Sequence, residues 1–275
     1  MSRRQRSRRR PGDASEIGKI ITAAAILLVC VAIAVFLGYS YLSRPARVAL
    51  SQESLCPEDG PHSKMIVLLD RSDNLPDITK SEIKTYLLDI ADTTPKYGLL
   101  ELRLLDPNIA GGAVVFSRCN PGDGSDLSAF DSNPKLAKNH WKQAFQDPLE
   151  AALKNLGGSP SDTSPIMETI QRIAVDQFSG RKAEEMPKNL TVISDMIEHV
   201  SDYSQYRGNL AFEEFARTPA YRRLRTDLHG AAVTVKYLVR LNTKIDSAKH
   251  IQFWRDWIAE SHGSRLDADK LQGAG

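Results

Sequence analysis

Ile20 to Leu42 form a run of 23 residues without one charged side chain. Coiled as a helix rising 1.5 Å per residue, such a run spans the roughly 30 Å hydrocarbon layer of a bilayer. It leaves two fates, an uncleaved anchor or a removed signal peptide. The run is longer than the apolar core of a signal peptide, about 7–15 residues, and no small-x-small cleavage site comes after it. The expectation is therefore an anchor. Tyr39 and Tyr41 lie at its far end, where amphipathic rings favour the interface. Arg3, Arg4, Arg6, Arg8, Arg9 and Arg10 precede it, and positive flanks stay in the cytoplasm. The predicted order is a basic cytoplasmic tail (1–19), a transmembrane helix (20–42) and a linker (43–63). An extracytoplasmic domain (64–262) and a flexible tail (263–275) come next. A bacterial inner membrane is the expected location.

Charge is unevenly spread. The net charge is +2, but residues 1–19 alone carry +5, which leaves −3 for the rest. The basic excess is a topology signal, and no nucleic-acid binding is expected of the exported part. Cys30 falls in the apolar run, while Cys56 and Cys119 fall beyond it. An even pair in an oxidising compartment predicts a Cys56–Cys119 disulfide. Asn189-Leu190-Thr191 matches a glycosylation acceptor, but it opens an apolar strand and is read as a chance match.

Beyond the linker, Met65 to Leu69 is a continuous apolar run, suited to a strand buried on both faces. Ile78, Ile83, Leu87 and Ile90 recur at helical spacing before Pro95. Leu99–Leu105 and Ala113–Phe116 read as strands two and three. The seven residues between them are too few for a parallel crossover, so this pair is antiparallel. A loop over 117–138 precedes a helix over 139–156, bearing Trp141, Phe145, Leu149 and Leu153. A second helix carries Ile166, Ile170, Ile173 and Phe178. Leu190–Ile193 is a fourth strand and Ala232–Val239 a fifth. Thr218-Pro219 caps a helix reaching Gly230, and a last helix spans 247–261 with Trp254 and Trp257 in the core. Strands alternating with helices predict an α/β open sheet with one antiparallel strand.

In open α/β sheets, ligands bind beyond the carboxyl ends of the strands. Asp70-Arg71-Ser72-Asp73-Asn74 follows strand one, the segment 157–165 precedes the central helix, and Asp195 follows strand four. Two carboxylates, several hydroxyls and an amide are hard oxygen donors of the kind Mg²⁺ takes in an octahedron. On these residues the chain resembles the von Willebrand factor type A domain over about residues 64–262. That resemblance implies a doubly wound, mostly parallel sheet with one antiparallel edge strand. It also implies a metal-ion-dependent adhesion site. Its D-x-S-x-S segment aligns with Asp70, Ser72 and Asn74, its second-loop threonine with Ser161 or Thr163, and its last aspartate with Asp195. Asn74 stands where the family has serine, and Met196 follows Asp195 where the family often has glycine. The cofactor so implied is Mg²⁺ or Mn²⁺. The partner implied is a protein whose acidic residue completes the ion's shell, in adhesion or assembly of an envelope complex. Cys56 before strand one and Cys119 after antiparallel strand three then meet at the opposite, lower end.

Two other functions compete. One is a metal-free structural component of a secretion or conjugation machine. For it, the stretch from Tyr203 to Arg225 offers aromatic and arginine side chains, though an amphipathic helix packed on the sheet explains them as well. The other is a metal-dependent phosphohydrolase with Asp70 as nucleophile. Ser72 occupies the place where such phosphatases carry a second aspartate, so no enzyme is expected. No nucleophile elbow, P-loop or dinucleotide fingerprint is present. His199, four residues after Asp195, is read as a helix-end or solvent-facing side chain.

Overall fold

The computed structural model describes residues 13–42, 48–72, 75–127, 133–154, 161–208, 210–240 and 243–271. The chain divides into two units, Met1–Val48 and Ala49–Gly275. The first contains helix α1 (Asp13–Leu42), within which Glu16–Leu42 is long and apolar enough to cross a membrane.

The second unit is built on six strands: β1 (Ser63–Leu69), β2 (Gly98–Leu104), β3 (Ala113–Cys119), β4 (Lys188–Ser194), β5 (Ala232–Tyr237) and β6 (Arg265–Lys270). Their order is β3-β2-β1-β4-β5-β6, all parallel except the edge strand β3. This is the mixed sheet with one antiparallel edge strand that the sequence predicts. The hairpin between β2 and β3 turns at Gly112, whose φ is +78°. A Cβ there would lie 2.6 Å from the Leu104 carbonyl oxygen, so the turn requires glycine.

Alternation along β1 explains the layers. Ile66 and Leu68 point to one face and Val67 and Leu69 to the other, and all four are fully buried. The Val67 face is covered by α2 (Asp77–Thr93) and by α3 (Pro134–Trp141) continuing into α4 (Asp147–Leu153). A widened turn over Lys142–Gln146 joins α3 to α4 and keeps Trp141, Phe145 and Leu149 facing inward. The Ile66 face is covered by α5 (Ile166–Ile173), with short α6 (Arg181–Glu184) after it, by α7 (Phe212–Phe215) and α8 (Pro219–Leu224), and by α9 (Ser247–Glu260). Trp254 and Trp257 are core, as expected.

Several expectations need correction. Residues 263–271 of the predicted tail are not free, since 265–270 form β6 and the Leu271 N–H donates to the Tyr237 carbonyl. Four of the six β6 residues are charged, as suits an exposed edge, and only Leu266 and Ala268 face the core. The linker is not free either. Residues 49–62 belong to the second unit, where Leu50 bridges to Pro57 and the Cys119 N–H donates to the Ser54 carbonyl. The 117–138 loop is shorter than predicted, because β3 runs to Cys119 and α3 starts at Pro134 with Asn133 as its cap. Thr218 caps α8 as predicted, accepting from the Tyr221 N–H. That helix nevertheless ends at Leu224, where Arg225 turns extended and Leu228 and Ala231 enter the core. The predicted amphipathic helix over 203–225 is three short pieces, and its Tyr203, Phe212, Phe215 and Tyr221 pack on Phe253 or on each other.

The Cys56–Cys119 disulfide is formed, at the end of the sheet opposite the carboxyl ends of the parallel strands. It closes a 63-residue separation, which chain entropy makes worth about 4 kcal/mol. Asn189 lies inside β4, between β1 and β5, where the glycosylation match is unusable.

Candidate functional site

The strand order reverses between β1 and β4, which places the topological switch point at their carboxyl ends. Asp70 follows β1 directly and Asp195 follows β4 directly. Both are 5% exposed. Sequence order therefore forces two carboxylates to one spot at the rim, and burial brings them into electrostatic contact.

Asp70 is held by donors on both oxygens. Its Oδ1 accepts from the Ser72 N–H at 2.9 Å and the Ser72 hydroxyl at 2.6 Å. Its Oδ2 accepts from the Ser194 hydroxyl at 2.8 Å and the Ser164 hydroxyl at 3.4 Å. Four donors occupy both oxygens and leave a poor nucleophile, which argues against a phosphoryl-transfer role. Asp195 accepts from the Ile197 N–H at 2.9 Å on Oδ1, and the Arg240 guanidinium lies against Oδ2. Burial, and then the charge of Asp70, push the Asp195 carboxyl up to about 7, while the Ile197 N–H and Ser194 pull it back. The adjacent guanidinium also favours the ionised form.

The second loop reaches the same place. Ser72, Ser161, Thr163, Ser164, Asp195, Ile197, His199, Tyr206 and Arg240 line one small cleft. Ser161 turns its hydroxyl into its own loop, accepting from the Thr163 N–H at 3.2 Å, while Thr163 is exposed at the mouth. Asn74 lies outside the described residues, as does the glycine pair 157–158. The structure thus brings together Asp70, Ser72, Ser161, Thr163 and Asp195.

Sequence reasoning missed Ser164, Ser194, Tyr206 and Arg240. Ser194 carried a signal, since it ends β4 one residue before Asp195. Arg240 carried only a topological one, its place just past β5. His199 sits on no helix. Its backbone pairs with Ser164 in both directions, at 2.8 and 3.1 Å, clamping the second and third loops together. Its Nδ1 meets the Ser204 hydroxyl and its ring meets the edge of Tyr206.

Met196 adopts φ 60°, the left-handed region that favours glycine. Here the turn is pinned instead, by the Met196 N–H on the Ser194 hydroxyl and by Trp254 Nε1 on the Met196 carbonyl, both at 2.8 Å.

Beneath the rim lies a second polar layer. Glu198 is fully buried, and its Oε2 caps α5 by accepting from the Met167 N–H at 2.8 Å. Burial pushes its carboxyl up to about 8, against the pull of the Met167 and Ile166 N–H groups. Gln205 Oε1 accepts from the Glu198 N–H and meets His250 Nε2, whose Nδ1 meets the Tyr237 hydroxyl. Burial holds the His250 imidazole down at about 4, in the neutral form.

The donor chemistry matches a hard divalent cation, with Asp70, Ser72, Asp195 and Ser161 or Thr163 as the residues that would surround it. The charge does not match. The Arg240 guanidinium already stands on Oδ2 of Asp195, where an incoming dication would meet it. The residues present therefore do not fit a resident ion while Arg240 stays in place. Among the described residues, no group of three or more His, Cys, Asp or Glu side chains is placed to hold a metal.

No protein-family model matches the chain, and no curated protein matches it significantly. Among solved structures, it is similar to an aerotolerance-related membrane protein from Bacteroides fragilis NCTC 9343. That match has 13% identity over 77% of this chain and 92% of the other, with a TM-score of 0.34. It is also similar to the conserved hypothetical protein BatB from Bacteroides thetaiotaomicron (13% identity, 76% and 90% covered, TM-score 0.37). A third likeness is to the human COPII-coat protein Sec24c, with 10% identity and a TM-score of 0.38. There 77% of this chain matches only 30% of the other. At such scores these likenesses carry no argument about function, which has to be read from the chain's own geometry.

Proposed function

We propose that this chain is a single-pass membrane protein of the bacterial inner membrane that presents a protein-binding α/β domain outside the cytoplasm. The observation that carries the reading is the convergence of three strand-end loops on one cleft. At its mouth are the Thr163 hydroxyl and the part-exposed Arg240 guanidinium, held from behind by the buried Asp195 carboxylate. Both are hydrogen-bond donors at the rim, so the partner group they suit is an acceptor, and an acidic side chain suits them best. The arginine-rich tail, the apolar run and the disulfide support the topology. The saturated Asp70 supports binding over catalysis.

Photo-crosslinkers placed at Thr163 and, as a control, at exposed Lys84 on α2 test this in intact cells. One protein adduct is expected at position 163, lost when Arg240→Glu is added, and none at position 84. Adducts at position 84 alone would overturn the reading. Protease digestion of spheroplasts checks the orientation, since an exported domain is degraded while a cytoplasmic one survives.

A further inference from the structure

The resemblance asks for a cation between Asp70 and Asp195, and the chain places one there itself. We propose that Arg240 is the built-in cation of the rim, so that the site works without a divalent ion. The proposal rests on the rim being the binding site, but its test needs no partner.

Three observations carry it. First, position: β5 pairs with β4 up to Ser194 and Tyr237, and the Leu238 N–H continues that ladder onto the Ser194 carbonyl. Arg240, two residues further on, is thereby delivered to the carboxyl-end rim next to Asp195. Second, contact: its Nε lies against Oδ2 of Asp195, while the other Asp195 oxygen is taken by the Ile197 N–H. Each oxygen thus has a close neighbour within the chain, an N–H on one and a guanidinium against the other. Third, partition: the Asp195 side chain is 7% exposed but that of Arg240 is 31%. The buried acid orients the guanidinium, and its exposed surface faces the cleft that Ser72, Ser161 and Thr163 share. Arginine suits this task. It stays charged at every physiological pH, presents its donors in a planar fork and is more weakly hydrated than an ammonium.

The consequence is specific. A guanidinium and a dication compete for the same pair of carboxylates, so removing the guanidinium should create an ion site. Full-length chain in nanodiscs is assayed for Mn²⁺ by the loss of the free-ion paramagnetic resonance signal, and for melting in Mg²⁺ or EDTA. The wild type should take up no Mn²⁺ and melt alike in both buffers. Arg240→Ala should bind Mn²⁺ at least roughly tenfold more tightly, since one close positive charge has gone. It should also melt higher in Mg²⁺ than in EDTA. Arg240→Gln, which keeps much of the side-chain packing, should behave the same way and covers the case in which the alanine variant does not fold. Adding Asp195→Asn to either should abolish the gain. Wild-type chain that binds Mn²⁺ as tightly as the Arg240 variants would overturn the proposal, and so would Arg240 variants that gain no ion. If partner adducts vanish while these ion results hold, the binding reading fails and the built-in cation stands.

Discussion

Two buried charge clusters in this domain are built to opposite ends. On β2, Glu101 and Arg103 form an ion pair at 2.7 Å, with side chains only 6% and 7% exposed. It is closed: the Ser117 hydroxyl and the Gln177 amide donate to Glu101, and Arg103 Nη1 donates to the Gly111 carbonyl. One positive charge meets one negative charge in contact, and the Lys64 ammonium adds a more distant attraction to Glu101. At the rim, Asp195 meets a guanidinium that is partly open to solvent, and Asp70 acts on the same guanidinium only through its charge. The closed pair holds β2 to its turn and to the helix beyond. The rim set is part-exposed where the β2 pair is buried, and on the proposed reading that contrast separates a structural charge from a functional one.

The contrast breaks most visibly if either member of the closed pair is removed. Arg103→Ala leaves Glu101 buried without its counter-charge, a change that costs about 3–5 kcal/mol. Denaturant unfolding of the full chain in detergent measures it, and a loss under about 1 kcal/mol would show the pair to be dispensable. Arg103→Met together with Glu101→Leu removes both charges at once and should recover most of the loss.

The layer under the rim gives a smaller, pH-dependent effect. Glu198 holds its proton in the fold up to about 8, while the unfolded chain releases it near 4.5. As pH rises through that window the unfolded state loses a proton and the native state does not, so stability falls. His250 acts in the opposite sense. Its native value near 4 lies below the ordinary 6.5, so stability falls as pH drops through that range. Glu198→Gln keeps the acceptor for the Met167 N–H and cannot ionise. Its stability relative to wild type should therefore rise by about 2–3 kcal/mol from pH 5 to pH 7. Taking the difference between the two proteins cancels His250. A flat difference would mean that Glu198 is ionised in the native state.

The same contrast governs how much was legible in the sequence. Strand ends announce themselves, because an apolar run stops at a polar residue. Asp70, Ser72 and Asp195 could be placed for that reason, and the short β2–β3 connection fixed the antiparallel strand. Arg240 could not be placed, because nothing local distinguishes it from the other surface arginines. Only the pairing of β5 with β4 makes it Asp195's neighbour. β6 stayed hidden for a related reason: at an edge, charge marks a protected strand, and from sequence alone it reads as a tail. Glu198 carries no local sign in the sequence that it caps α5, 31 residues back in the chain.

The rim itself should yield the smallest stability change, and that smallness is informative. Asp195→Asn keeps an oxygen for the Ile197 N–H and relieves the repulsion that Asp70 exerts. It loses the ion pair, but Arg240 is already part-exposed and can be solvated. These terms oppose one another, so the expected change at pH 7 is within about 1 kcal/mol in either direction. Binding should respond differently. Arg240 would no longer be oriented from behind, and an adduct formed from position 163 should fall severalfold although the fold is intact. A loss of stability as large as that of Arg103→Ala would place Asp195 with the structural charges instead, and the distinction between the two clusters would collapse.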